Sequence, residues 1–266
     1  MRICPIASGS SGNSIYIGSD NTHVLVDCGI SGKRIRAGVE SLDLDMSDIS
    51  AVLVTHEHSD HVGGLGVIAR RYGIPIYATR GTLDAIVRMK ETGEIDPGLL
   101  NPIEADVRFE LGDLVAEPMH VSHDAVDPVA YRVYNGNKKC AVVTDLGAYT
   151  DYTVQCLEGM DALVVESNHD VHMLQVGSYP YPLKQRILSE YGHLSNDSCG
   201  QLLCRILHDG VKHIFLGHLS HENNLPELAF EAVRAEITVS DETPYKGGDF
   251  PITVAKRHEV SRCVSF

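Results

Sequence analysis

The segment Val52-Leu53-Val54-Thr55-His56-Glu57-His58-Ser59-Asp60-His61 constrains this chain more than any other. An apolar run of strand character ends, and four potential metal ligands, His56, His58, Asp60 and His61, follow within six residues. Side chains alternate along an extended segment, so His56 and His58 face the same way. Asp60 and His61 then enter a predicted helix, whose turn brings them back toward the same point. Imidazole combined with carboxylate suits Zn²⁺, Mn²⁺ or Fe²⁺. A chain that carries such a loop must shelter it and bring further ligands from elsewhere.

Strand ends are where those ligands are expected. His123 follows the strand Leu114–Val121, Asp145 follows Lys139–Thr144, and His218 follows His213–Gly217. The rest of the pattern alternates short apolar strands with helices. Ser14–Gly18 and His23–Asp27 read as a hairpin. A helix starts at the N-cap Ser31 and runs to Leu42, and Asp60–Tyr72 and Gly81–Glu91 read as two further helices. Residues 93–106 read as a polar loop. Val107–Glu110 and Ala130–Tyr134 are predicted strands, and Tyr149–Leu157 is a predicted helix. Ala162–Glu166 is a strand, residues 171–192 are mixed, and Asn196–His208 is helical. Asn224, with Glu227 three residues on, predicts a capping box for a helix to Ala235. Ile252–Phe266 predicts a strand or hairpin. No linker or repeat interrupts the pattern, so residues 1–266 are read as one α/β domain.

Composition narrows the function. The 266 residues suffice to bury a core without disulfide staples. Seven cysteines, an odd number with no C-x-x-C pair, argue for reduced thiols packed as small hydrophobes and against a cysteine zinc site. Histidine is abundant, at 14. The net charge of −14 excludes a protein that holds nucleic acid by surface charge alone. Bound divalent ions would return positive charge at one place, leaving modest non-specific affinity for a phosphate substrate. No apolar run reaches the ~18 residues of a membrane span. The opening MRICPIASGSSGNS lacks a basic stretch followed by an apolar one, which predicts a cytoplasmic address. Nothing in the sequence addresses the oligomeric state.

His56-x-His58-x-Asp60-His61, followed in order by His123, Asp145 and His218, resembles the metallo-β-lactamase superfamily. Leu25-Val26-Asp27-Cys28-Gly29 is similar to its first motif, whose Asp supports the metal loop. The resemblance implies a four-layer αββα sandwich with a dinuclear site. It assigns His56, His58 and His123 to one ion, and Asp60, His61 and His218 to the second, with Asp145 bridging. It also implies a metal-bridging hydroxide as nucleophile. His58 stands where the redox-active diiron relatives carry Glu, which favours hydrolysis.

Two further blocks, Glu166-Ser167-Asn168-His169-Asp170 and Tyr191-Gly192-His193-Leu194-Ser195-Asn196, point to a branch. Nucleic-acid-processing members show a similar Gly-His element, backed by a Glu on the preceding strand. His193 is thereby the expected general acid and Glu166 its support, with His169 and Ser195 expected to contact phosphate. Together with Ser8–Ser14 and Gly217–Asn224, these blocks resemble the YycJ/WalJ branch. That branch implies 5′→3′ exonuclease action on double-stranded DNA in DNA repair. The alternative is a small-molecule hydrolase of a cyclic phosphodiester, thioester or lactone, which the acidic balance also suits.

Overall fold

The computed structural model describes all 266 residues. Their contacts gather into two compact units. The first comprises Met1–His120, Ala125–Lys138 and Lys256–Phe266, and the second Val121–Asp124 and Lys139–Ala255.

The first unit is built on a seven-stranded mixed sheet. Its strands are β1 (Arg2–Ala7), β2 (Ser14–Gly18), β3 (His23–Val26), β4 (Ile49–Leu53), β5 (Ile76–Thr79) and β6 (Leu100–Ile103). They lie side by side in that order, with the C-terminal strand Val264–Ser265 outside β1. Pairing is antiparallel from the C-terminal strand to β3 and parallel from β3 to β6. The parallel half needs crossovers, supplied by α1 (Gly32–Glu40), α2 (Ser59–Val62), α3 (Leu65–Tyr72) and α4 (Arg80–Arg88). β2 and β3 are buried along their whole length, and their near-continuous apolar reading follows from that. Ile6, Tyr16, Leu25, Ile35, Val52, Ile68 and Ile76 pack into one core cluster.

An antiparallel meander completes this unit: β7 (Phe109–Leu111), β8 (Leu114–His120) and β9 (Val129–Asn135). It steadies the exit of β4. The Tyr131 hydroxyl donates to the Val54 carbonyl at 2.9 Å, and the Val129 N–H to the Thr55 carbonyl at 3.0 Å.

The second unit carries a parallel sheet of β10 (Lys138–Val143), β11 (Ala162–Glu166), β12 (His213–Gly217) and β13 (Ile252–Val254). Its helices are α5 (Asp151–Leu157), α6 (Val171–Val176), α7 (Tyr181–Ile187), α8 (Asn196–Ile206) and α9 (Pro226–Val239). The register sets Val143 beside Val165 and Glu166 beside Gly217. Asp145, Glu166 and His218 therefore emerge together at the carboxyl ends of the strands, where open parallel sheets bind ligands.

Several elements differ from the sequence expectation. Asp60–Tyr72 is two helices, because Gly63 and Gly64 break it; a Cβ on Gly64 would lie 2.1 Å from the Ile30 carbonyl oxygen. The polar loop 93–106 contains a 3₁₀ turn and β6. Asn224 is not the N-cap of α9. Leu225 holds that place, and Asn224 instead spends its amide on the carbonyls of Ser167 and Asn168. The tail is no hairpin, since its two strands pair with β12 and β1 separately. All seven cysteines are free.

Candidate metal centre

In the first unit, Asp27 organises the loop after β4. It is fully buried and sits in the left-handed region, at φ 63°. Its Oδ1 accepts the Thr55 N–H at 2.9 Å. Its Oδ2 accepts the Thr55 hydroxyl at 2.9 Å and the His61 Nδ1–H at 2.8 Å. The Thr55 hydroxyl oxygen in turn accepts His56 Nδ1–H at 3.0 Å. The His56 ring centroid lies 4.6 Å from that of His58 and 4.2 Å from that of His61. Asp60 Oδ2 is 3.6 Å from His61 Nε2. The structure thus brings His56, His58, Asp60 and His61 together, as the spacing requires.

Asn13 belongs to this group, and the sequence gave no direct sign of it. Its Oδ1 accepts the Gly9 N–H at 2.9 Å, which fixes the amide orientation. Its Nδ2 then donates to His61 Nε2 at 3.1 Å. The backbone passes very close here, for a Cβ on Gly29 would fall 1.6 Å from the Asp60 carbonyl oxygen. Gly29→Ala is expected to displace the loop and cost at least ~2 kcal/mol. Thermal or denaturant melts beside wild type check this, and an unchanged midpoint would contradict it.

In the second unit, Glu166 is the organiser. It is fully buried. Its Oε1 accepts Nδ1–H from His193 at 2.9 Å and from His218 at 2.8 Å. Its Oε2 accepts the N–H of Leu146 at 2.8 Å and of Leu194 at 3.2 Å. One carboxylate thus fixes two imidazoles and the backbones that follow Asp145 and His193. Asp145 Oδ1 lies 3.6 Å from His123 Nε2, 3.5 Å from His193 Nδ1 and 3.6 Å from His218 Nδ1. Asp145, Glu166, His193 and His218 each offer a ligand atom within 4.8 Å of the others. Asp145 and His218 share left-handed backbone, at φ 57° and 55°. Such conformations cost ~1–3 kcal/mol each and concentrate at functional sites.

The charges follow from this geometry. Burial pushes the Glu166 carboxyl up, but the His193 charge and the hydrogen bonds from His193 and His218 outweigh it and hold it at about 2. Burial pushes His193 down, and the charge and hydrogen bond of Glu166, helped by Asp145, more than reverse this. The His193 pKa is therefore raised. His169 has no such support. Burial lowers it to about 4, and neither ring nitrogen has a hydrogen-bond partner.

The histidines fit a divalent transition ion. Nδ1 is held by Thr55 in His56, by Asp27 in His61, by the Gly192 carbonyl at 3.1 Å in His123, and by Glu166 in His218. Nε2 is the nitrogen that would face an ion, and in His61 it accepts the Asn13 amide at 3.1 Å in this structure. Outer acceptors of this kind orient metal-bound histidines. Asn168 adds a bond from Nδ2 to the His218 carbonyl at 2.8 Å. Thr55, Asn168 and Gly192 escaped the sequence reading, because their parts depend on tertiary neighbours. Ser195 is buried and caps α8, its Oγ accepting the Ser198 N–H at 3.1 Å. Its neighbour across an isolated parallel bridge is His169.

A family model described as the beta-lactamase superfamily domain matches residues 22–210. The fold is that of YhfI from Bacillus subtilis, with a TM-score of 0.70 at 18% identity, covering 98% of each chain. The chain belongs to the metallo-β-lactamase superfamily, with its mixed sheets and flanking helices, and is a metal-dependent hydrolase. Within that class it is 43% identical over 229 residues to exodeoxyribonuclease YycJ of Bacillus anthracis, covering 86% of each chain. It is 42% identical over 236 residues to exodeoxyribonuclease WalJ of Streptococcus pneumoniae, covering 89% of this chain and 88% of that one. The resemblance to the YycJ/WalJ branch thus extends over most of the chain.

Proposed function

We propose that this hydrolase is a phosphodiesterase that uses two divalent ions and digests double-stranded DNA from the 5′ end. The observation that carries the reading is His193, held by buried Glu166 at 2.9 Å beside Asp145. Cleaving a phosphodiester expels an alkoxide, which needs a proton. An imidazole whose pKa is raised by a carboxylate keeps that proton near neutral pH. The exodeoxyribonuclease names of the relatives support DNA as the substrate.

The proposed ligands are His56, His58, Asp60, His61, His123, Asp145 and His218. The ions, Zn²⁺, Mn²⁺ or Fe²⁺, would supply Lewis acidity and a water of lowered pKa. The chain's own residues do the rest. Asp27 and Thr55 fix the tautomers of His61 and His56, Glu166 fixes those of His193 and His218, and His193 delivers its proton to the leaving oxygen. Ser195 and His169, expected at first to contact phosphate, are buried and take a positioning part in this proposal. The His169 carbonyl accepts the Asn196 N–H at 2.9 Å, and the Leu194 carbonyl accepts the Asn168 N–H at 2.8 Å, so this layer backs the His193 segment.

A role in DNA repair and a cytoplasmic address belong to the same proposal. No helix is long and apolar enough to cross a membrane. The second reading, a small-molecule hydrolase, is favoured by the net charge of −14. Rates of the metal-loaded protein on duplex DNA and on bis(p-nitrophenyl) phosphate separate the two. The proposal expects far the higher kcat/KM on DNA, and the reverse order would favour the second reading.

A further inference from the structure

Two cysteines from opposite ends of the chain face each other. β1 and the C-terminal strand are antiparallel, with Arg2 opposite Ser265 and Ile3 opposite Val264. Met1 and Phe266 exchange both backbone hydrogen bonds, each at 3.0 Å. Hydrogen-bonded and non-hydrogen-bonded pairs alternate along such a ladder. Ile3–Val264 is thus of the first kind, and the next position sets Cys4 opposite Cys263 as the second kind. In pairs of the second kind the Cα atoms are typically about 4.5 Å apart. The ladder stops because Pro5 has no N–H to continue it. That spacing falls inside the window of roughly 4.4–6.8 Å that a disulfide spans.

The register sets both side chains on one face of the strand pair, where the two thiols act on each other's ionisation. Cys4 is fully buried, with its Sγ 3.3 Å from the Ser261 carbonyl, while Cys263 is partly exposed. The neighbouring Cys4 thiol lowers the Cys263 thiol to about 7, against burial and with help from the Arg2 guanidinium. Cys263 in turn, with burial, pushes Cys4 up. Burial pushes the other deep cysteines, Cys28, Cys140 and Cys199, upward as well. A thiol of lowered pKa, the form that supplies thiolate, is thus paired with a buried thiol of raised pKa.

We propose that Cys4 and Cys263 are a modification site, a reversible disulfide formed by a hydroperoxide. The Cys263 thiolate attacks a peroxide oxygen; the S–O bond forms, the O–O bond breaks, and hydroxide or alkoxide leaves. The Cys4 sulfur then attacks the sulfenic sulfur of Cys263. The S–S bond forms, the S–O bond breaks, and the hydroxyl departs with the Cys4 proton as water. Two electrons pass from the two sulfurs to the peroxide, and a dithiol reductant returns them.

The bond ties down the segment on which the Gly-rich loop rests. The Ser8 N–H donates to the Lys256 carbonyl at 3.1 Å, Arg257 Nη1 to Ser10 Oγ at 3.3 Å, and the Ser261 N–H to the Pro5 carbonyl at 2.9 Å. That loop carries Asn13, the donor to His61. Oxidation is therefore expected to raise the melting temperature of the whole chain by several degrees.

The test treats the full chain with graded hydrogen peroxide, alkylates the remaining thiols, and maps peptides without reduction. The expected result is a mass loss of two hydrogen atoms, a linked Cys4–Cys263 peptide, and a melting temperature that dithiothreitol returns to its starting value. Cys263→Ser, at a partly exposed position, removes the linked peptide. Cys4→Ser leaves a sulfenic acid on Cys263 that dimedone traps. A link between other cysteines, or seven alkylated thiols after peroxide, would overturn the proposal.

Discussion

Asp145→Ala is expected to strip the metal and with it the activity, by on the order of 10³ or more. Altering a ligand's hydrogen-bond partner costs metal sites 10–100-fold in affinity or activity, and loss of a ligand costs more. Asp145 is central in its cluster, with one oxygen 3.5–3.6 Å from nitrogens of His123, His193 and His218. Without it, three imidazoles lose their common negative neighbour. The backbone adds a second effect, because φ is 57° and Ala tolerates that less well than Asp. Asp145→Asn separates the two, keeping size and backbone tolerance while removing charge. Metal stoichiometry by elemental analysis, read beside the melting temperature, checks the prediction. Full metal occupancy in Asp145→Ala would contradict it.

His193→Ala should behave differently. Turnover is expected to fall ~10²–10⁴-fold, the usual worth of a general acid, with metal content unchanged. The pH dependence carries the sign. A general acid works while protonated, so its contribution is present below its pKa and lost as pH rises through it. The Glu166 and Asp145 charges raise that pKa, which extends the active range upward from the ordinary imidazole value. Wild type should show an alkaline falling limb in kcat, and His193→Ala should lack it. An equal limb in both proteins would remove His193 from the role.

The ligand loop was legible because its geometry is local. A strand of known period ends at Leu53, three residues before His56, and a helix begins at Ser59. The strand-end placement of Asp145 and His218 was equally readable, as both follow short apolar runs. β1 was not anticipated, since Pro5 reads as a strand breaker. The sheet tolerates it because its missing N–H falls just past the two-residue C-terminal strand, where ladder pairing ends. Asn13 lay in a Gly-rich opening that could have been a simple turn; only folding brings its amide to His61. Glu166 was expected to support one histidine. That it holds two, with two backbone N–H groups besides, depends on the register of β11 beside β12, which no local pattern reports.

The central claim is a metal-dependent nuclease that works from a 5′ end. Digestion of a 5′-phosphorylated, 3′-labelled duplex tests it most directly, with metal-loaded and chelator-stripped protein run in parallel. The account predicts a ladder of labelled fragments that shortens progressively from the 5′ side in the loaded protein and is absent from the stripped one. A duplex left intact by fully metal-loaded protein would contradict it.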